Sequence, residues 1–125
     1  MQRQVPEPVR LGDWLRNVKQ ALGISTLRFA GDGDRYVRRV ACCGGSAAEY
    51  LRDAHRCGAD VYVTGDVKYH DAQAALELGT AIVDVGHFGG EHPVLETVRT
   101  LLEREGGQEL GVEIWSGERD FLKNM

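Results

Sequence analysis

Basic residues are the minority in this chain, 15 Lys and Arg against 19 Asp and Glu over 125 residues, for a formal net charge of −4. A field of that sign repels phosphates, so a nucleic-acid or membrane-surface role is not expected. Long apolar runs are also missing. The longest stretch without Asp, Glu, Lys or Arg is Val40 to Ala48, far short of the roughly 20 apolar residues that span a bilayer. The start, MQRQVPEPVR, has no apolar segment of the secretory kind. Cysteine is scarce: Cys42, Cys43 and Cys57 are an odd number with no CxxC pair, which excludes a disulfide framework and a simple zinc knuckle. Adjacent Cys42 and Cys43 cannot bridge without strained geometry. They read as buried cytosolic thiols acting as small hydrophobes, and the expected compartment is cytoplasmic.

What remains is the composition of one globular domain, 42% apolar and 27% charged, of a length that folds around a single core without staples. Residues 1–10 are polar, carry two of the three prolines and have no periodicity, and so predict a flexible lead-in to a single α/β domain over 11–125. Trp14, Leu15, Val18, Ala21 and Leu22 recur at helical spacing before Gly23, predicting a helix from about Gly12 to Leu22. Leu27 to Ala30 predicts a short strand, followed by a Gly31-Asp-Gly-Asp34 turn and a strand from Tyr36 to Cys43.

A unit of apolar strand, glycine-containing loop and amphipathic helix then recurs three times. Val40 to Cys43 passes through Gly44-Gly45-Ser46 into SAAEYLRDAHRCG. Val61 to Val63 passes through Thr64-Gly65-Asp66 into KYHDAQAALELG. Ala81 to Val85 passes through Gly86-His87-Phe88-Gly89-Gly90 into a helix from about Pro93 to Glu105, with Gly106-Gly107 beyond its end. Leu110 to Trp115 predicts a last strand. Strands alternating with helices predict a three-layer α/β/α domain with a mostly parallel sheet, its strands near Val40, Val61 and Ile82 parallel and central.

In such sheets ligands bind at the carboxyl ends of the strands, so the three loops should share one rim. Gly44-Gly45-Ser46 reads either as an anion nest with the Ser46 hydroxyl as a donor or as a plain helix cap. Thr64 to Asp71 crowds two carboxylates, an ammonium, a phenol and an imidazole into one loop and helical turn, with Asp66 a candidate cap and His70 one turn further on. His87 and Glu91 form an HxxxE pair, imidazole nitrogen and carboxylate oxygen both being usual ligands of zinc, iron and manganese. Two ligands fall short of a zinc shell, so the rest must come from elsewhere. His55 and His92 read as solvated helix residues, and Arg35, Arg38 and Arg39 as edge or surface charge.

The segment from VACCGGS through TGDVKYHDA to DVGHFGGE resembles, in order and spacing, the C-terminal half of the Nif-three-like dinuclear-metal hexameric family, also called type two GTP cyclohydrolase I. The match spans about residues 11 to 115. The resemblance implies two similar α/β halves facing a cleft with two divalent metal ions, in a toroidal hexamer. It implies His87 and Glu91 as metal ligands, Asp66 or His70 as proton carrier or ligand orienter, and Gly44, Gly45 and Ser46 as a phosphate cradle. The family's paired histidines and aspartate from its N-terminal region have no counterpart here. The expected function is therefore a metal-binding domain that becomes a metal-dependent hydrolase of the GTP cyclohydrolase type when completed by an N-terminal half. The alternative is a non-catalytic metal- or ligand-binding scaffold half-domain. The implied partners are further copies of the chain or a complementary N-terminal half, and a nucleotide or other phosphorylated small molecule.

Overall fold

The computed structural model describes residues 1–107 and 110–125. Strand β1 (Gln2–Arg10) runs directly into helix α1 (Leu11–Leu22), then β2 (Arg28–Ala30) and β3 (Tyr36–Ser46). A 3₁₀ turn (Ala48–Tyr50) opens helix α2 (Leu51–Arg56), followed by β4 (Val61–Gly65), α3 (Tyr69–Leu78), β5 (Ala81–Asp84), α4 (His87–Glu91) and α5 (Val94–Gly106). The five strands form one sheet in the order β1-β3-β4-β5-β2. As expected, β3, β4 and β5 are central and mutually parallel, Val61 lying opposite both Val40 and Ala81. The two edge strands pair antiparallel, β1 on β3 and β2 on β5.

Successive residues of a strand point to opposite faces, and the buried residues of β4 and β5 divide accordingly. Val61, Ala81 and Val83 pack with Leu11 and Leu15 of α1 on one face, while Tyr62 and Ile82 pack with Leu51 and Ala54 of α2 and Ala75 of α3 on the other. Both faces are thus covered by helices. That is why β4 and β5 read as continuous apolar runs, and each fully buried aliphatic side chain there contributes about 1.5–3 kcal/mol.

Three expectations are corrected. Residues 2–10 are a strand, not a flexible lead-in: Gln2, Arg3 and Gln4 pair with Ala41, Val40 and Arg39, and a register shift between Gln4 and Val9 brackets the prolines. An exposed edge strand needs neither apolar alternation nor a donor at every position, so Pro6 and Pro8 are compatible with it. Residues 110–115 form no strand. Their alternating pattern is matched by half-burial at Val112 and Ile114 without any sheet partner among the described residues. Cys42 and Cys43 are exposed rather than buried, because β3 lies against an edge strand that is itself largely exposed, and Cys57, just after α2, is exposed as well. No helix among the described residues is long and apolar enough to cross a membrane. Helix α5 buries none of its residues, leaving Val94, Val98, Leu101 and Leu102 open to solvent.

Candidate metal-ligand site

The carboxyl ends of β3, β4 and β5 approach one another backbone to backbone at Gly65. A Cβ placed on Gly65 would lie 2.9 Å from the carbonyl of Gly86 and 3.0 Å from that of Gly45, so only glycine lets these three loops converge. The first loop is pinned from beneath. The Tyr62 hydroxyl donates to the Ala47 carbonyl (2.7 Å), the Ala47 N–H donates to Thr64 Oγ1 (3.2 Å), and the Thr64 hydroxyl donates to the Gly45 carbonyl (3.2 Å). Burial, with the neighbouring Cys43 adding to it, pushes the Tyr62 phenol up to about 12, so it stays a donor.

Residues 87–91, expected as loop, are the short helix α4. The i,i+4 spacing on one helical turn puts His87 and Glu91 on one side, and His87 Nε2 stands 3.2 Å from Glu91 Oε2. Across the rim, Asp66 Oδ2 meets His87 Nδ1 at 2.7 Å. Asp66 is the one non-glycine residue with positive φ among the described residues (+55°), and its carboxylate faces His87 at the start of α4. All three side chains are about half exposed. The hydrogen bond to Asp66 and then the charge of Glu91 hold the His87 pKa above its ordinary value. When the ring is neutral, the carboxylate at Nδ1 keeps the proton there and leaves Nε2 as the bare nitrogen facing Glu91.

The other predicted residues fall differently. Asp66 does not cap α3. Lys68 is the cap residue, and its N–H is taken by the Asp71 carboxylate at 2.9 Å. His70 does not join the cluster: it stands on the first turn of α3, exposed, with Asp71 at 3.4 Å as its charged neighbour. Gly44, Gly45 and Ser46 belong to the end of β3, Ser46 pairing with Gly65. The space over the glycine pair is filled by α4. A Cβ on Gly45 would meet Glu91 Oε1 at 2.6 Å, and one on Gly44 would meet the Gly90 carbonyl at 3.2 Å. The glycines here admit Glu91 where a phosphate cradle was expected, and no Ser46 cap bond is formed at the helical turn that follows. Sequence reading missed Asp84, a buried carboxylate at the end of β5, whose signal was an acid inside an otherwise apolar strand. Beside His87 and Asp66 opens a cleft of about 860 Å³, walled by Ile24, Phe88 and the tail residues Leu122 and Lys123. The tail is tied down by Asn124, whose amide donates to Thr26 Oγ1 at 2.6 Å.

A sequence profile of Duf34/NIF3 (NGG1p interacting factor 3) matches residues 1–120. The chain belongs to this family. It is 38% identical over 99 residues to a GTP cyclohydrolase 1 type 2 homolog of Staphylococcus aureus, covering 79% of this chain and 27% of that protein. A Bacillus subtilis protein of the same name is 39% identical over 103 residues, covering 82% and 28%. Among solved structures, Staphylococcus aureus protein SA1388 superposes with a TM-score of 0.90 at 31% identity over 99% of this chain and 36% of its own. A Bacillus cereus protein related to NIF3 gives a TM-score of 0.72 at 36% identity, covering 84% of this chain and 30% of its own. The chain therefore spans about three-tenths of the length of its curated Duf34/NIF3 relatives.

The family resemblance implies a metal, and the side chains present fit part of a shell. Donors 3.2 Å apart are spaced like neighbouring ligands of one ion with bonds of about 2.1 Å. The pairing of His87 with Asp66 is the usual support of a ligating histidine. Among the described residues no group of three or more His, Cys, Asp and Glu side chains is arranged to hold an ion. The fit is to two positions of a shell that is otherwise open.

Proposed function

We propose that this chain contributes the His87–Glu91 half of a divalent metal centre in a metal-dependent hydrolase. The observation that carries the reading is the bridged imidazole: Nδ1 held by Asp66 at 2.7 Å and Nε2 aimed at Glu91 at 3.2 Å. Zinc, iron or manganese would take the place of the proton on Nε2, with Glu91 as the second ligand and Asp66 as orienter. A bound ion supplies Lewis acidity and an acidified water at neutral pH. His87 and Glu91 then hold, Asp66 orients, and the adjoining cleft receives the reacting molecule. The names of the curated relatives suggest a purine nucleotide for that molecule, and Lys123 on the cleft wall is a cation suited to its phosphates. His70, exposed and apart from the cluster, enters this reading only as a proton carrier reached by water.

Titration calorimetry with zinc and with manganese tests the ligands. With two protein donors and the remaining positions filled by water, binding should be weak, and His87→Ala should abolish it with the fold intact. Tight binding that survives His87→Ala would place the ligands elsewhere and overturn the reading.

One observation favours a second reading, a non-catalytic metal-binding part of a larger assembly: no third ligand joins the pair among the described residues. Metal content and solution mass of the protein purified without added metal separate a centre completed across copies from an incomplete half. One or two ions per chain in an oligomer support a centre completed across copies. A metal-free monomer supports a half that needs its complement.

A further inference from the structure

We infer that Asp84 is the positioning residue of this site, and that its ion pair with Arg28 fixes the distance between Asp66 and His87. The inference rests on the proposed role of His87 but is carried by separate contacts. Asp84 ends β5, with its side chain 8% exposed. Its Oδ1 accepts the N–H of Gly86 at 2.9 Å, and its Oδ2 accepts the N–H of Val67 at 3.1 Å. Those two residues are the immediate neighbours of His87 and Asp66. One buried carboxylate thus holds both loops by the peptide next to each functional side chain.

Arg28 completes the arrangement from the edge strand β2. Its Nη2 donates to Asp84 Oδ2 and also to the Val67 carbonyl at 3.1 Å. Val67 is therefore gripped at both its N–H and its carbonyl, directly after Asp66, the residue with positive φ. A carboxylate suits the position because all three groups facing it are donors, and it accepts on both oxygens. An amide has one acceptor oxygen and would turn its NH₂ toward a donor. Burial without these partners would be costly for a polar group, and the guanidinium and the two peptide N–H groups supply them.

The test combines Asp84→Asn and Arg28→Gln with nitrogen-15 NMR of the His87 ring and zinc titration. In the parent protein the neutral ring should be a single tautomer protonated on Nδ1. In Asp84→Asn we expect a mixture of tautomers and zinc affinity lower by about tenfold, the loss seen when a group supporting a ligand is removed. Arg28 is three-quarters exposed, so Arg28→Gln keeps the fold and should shift both readouts the same way by a smaller amount. A folded Asp84→Asn protein that loses stability yet keeps the single tautomer would overturn the inference, since a purely structural role predicts that result. If Asp84→Asn fails to fold, the decision passes to Arg28→Gln, where an unchanged tautomer and unchanged affinity overturn it. If the parent protein binds no zinc, the ligand reading of His87 fails, while the tautomer still reports on Asp84.

Discussion

His87 is the residue on which proton, metal and fold compete. Its pKa is raised because the ring donates to Asp66 and faces the Glu91 charge, both of which favour imidazolium. A value higher in the folded than in the unfolded chain means that the pair stabilises the fold fully below the unfolded value of about 6.5 and stops doing so as pH rises through the folded value. Urea unfolding of the parent and of His87→Ala, repeated from about pH 5 to about pH 9, should show a stability difference that shrinks with rising pH. Zinc runs the other way, since it must displace the Nε2 proton. Its affinity should keep climbing above about pH 7.5, where a free imidazole of pKa about 6.5 would already have levelled off. Gly45 offers a check from the opposite side. Its φ of +70° and the 2.6 Å approach of a Cβ to Glu91 Oε1 mean that Gly45→Ala must push the carboxylate off Nε2. Calorimetry should show zinc binding weakened or lost, with a backbone cost of about 1–2 kcal/mol in denaturant unfolding.

At the scale of elements, the sequence was most legible where burial is two-sided. The runs around Val61 and Ile82 announce central parallel strands because both faces of β4 and β5 are buried, and the glycines after them mark the loops that carry Asp66 and His87. Legibility failed where a tertiary partner supplies the order. Strand β1 is stabilised by pairing with β3, which leaves no trace in its own polar, proline-containing residues. Helix α4 was hidden because Gly89 and Gly90 argue against a helix locally; in the fold, Gly89 lets Ile24 approach and Gly90 packs against Val85. The HxxxE pair was visible as a spacing, but its meeting with Asp66 depends on the register of β4 beside β5 and on an unusual φ, neither of which a one-dimensional pattern encodes. The contact of the three loops at Gly65 is the element-level prediction. Gly65→Ala would drive a Cβ into the Gly86 and Gly45 carbonyls, backbone that cannot rotate away, and should cost about 1–3 kcal/mol in denaturant unfolding. Wild-type stability in that variant would mean that the loops are looser than they stand here.

For the molecule as a whole, the candidate site and the cores are separate structures. Asp66, His87 and Glu91 belong to neither buried cluster, and the rim sits above layers built from Leu11, Val61, Val83, Tyr62 and Ile82. The chain should therefore fold without metal, unlike small zinc modules whose ion substitutes for a core. An ion that binds only the folded state still raises its stability by mass action, by about 2.7 kcal/mol when free metal is a hundred times the Kd. At roughly 4 °C per kcal/mol for a domain of this size, that is a rise in Tm of about 10 °C. Calorimetric melting with and without zinc should show this rise in the parent protein and none in His87→Ala, and the two metal-free Tm values should agree within a few degrees at a pH above the His87 transition. A parent protein that unfolds when a chelator strips it of metal would show the opposite, that the ion is part of the core, and would end the separation of site from scaffold.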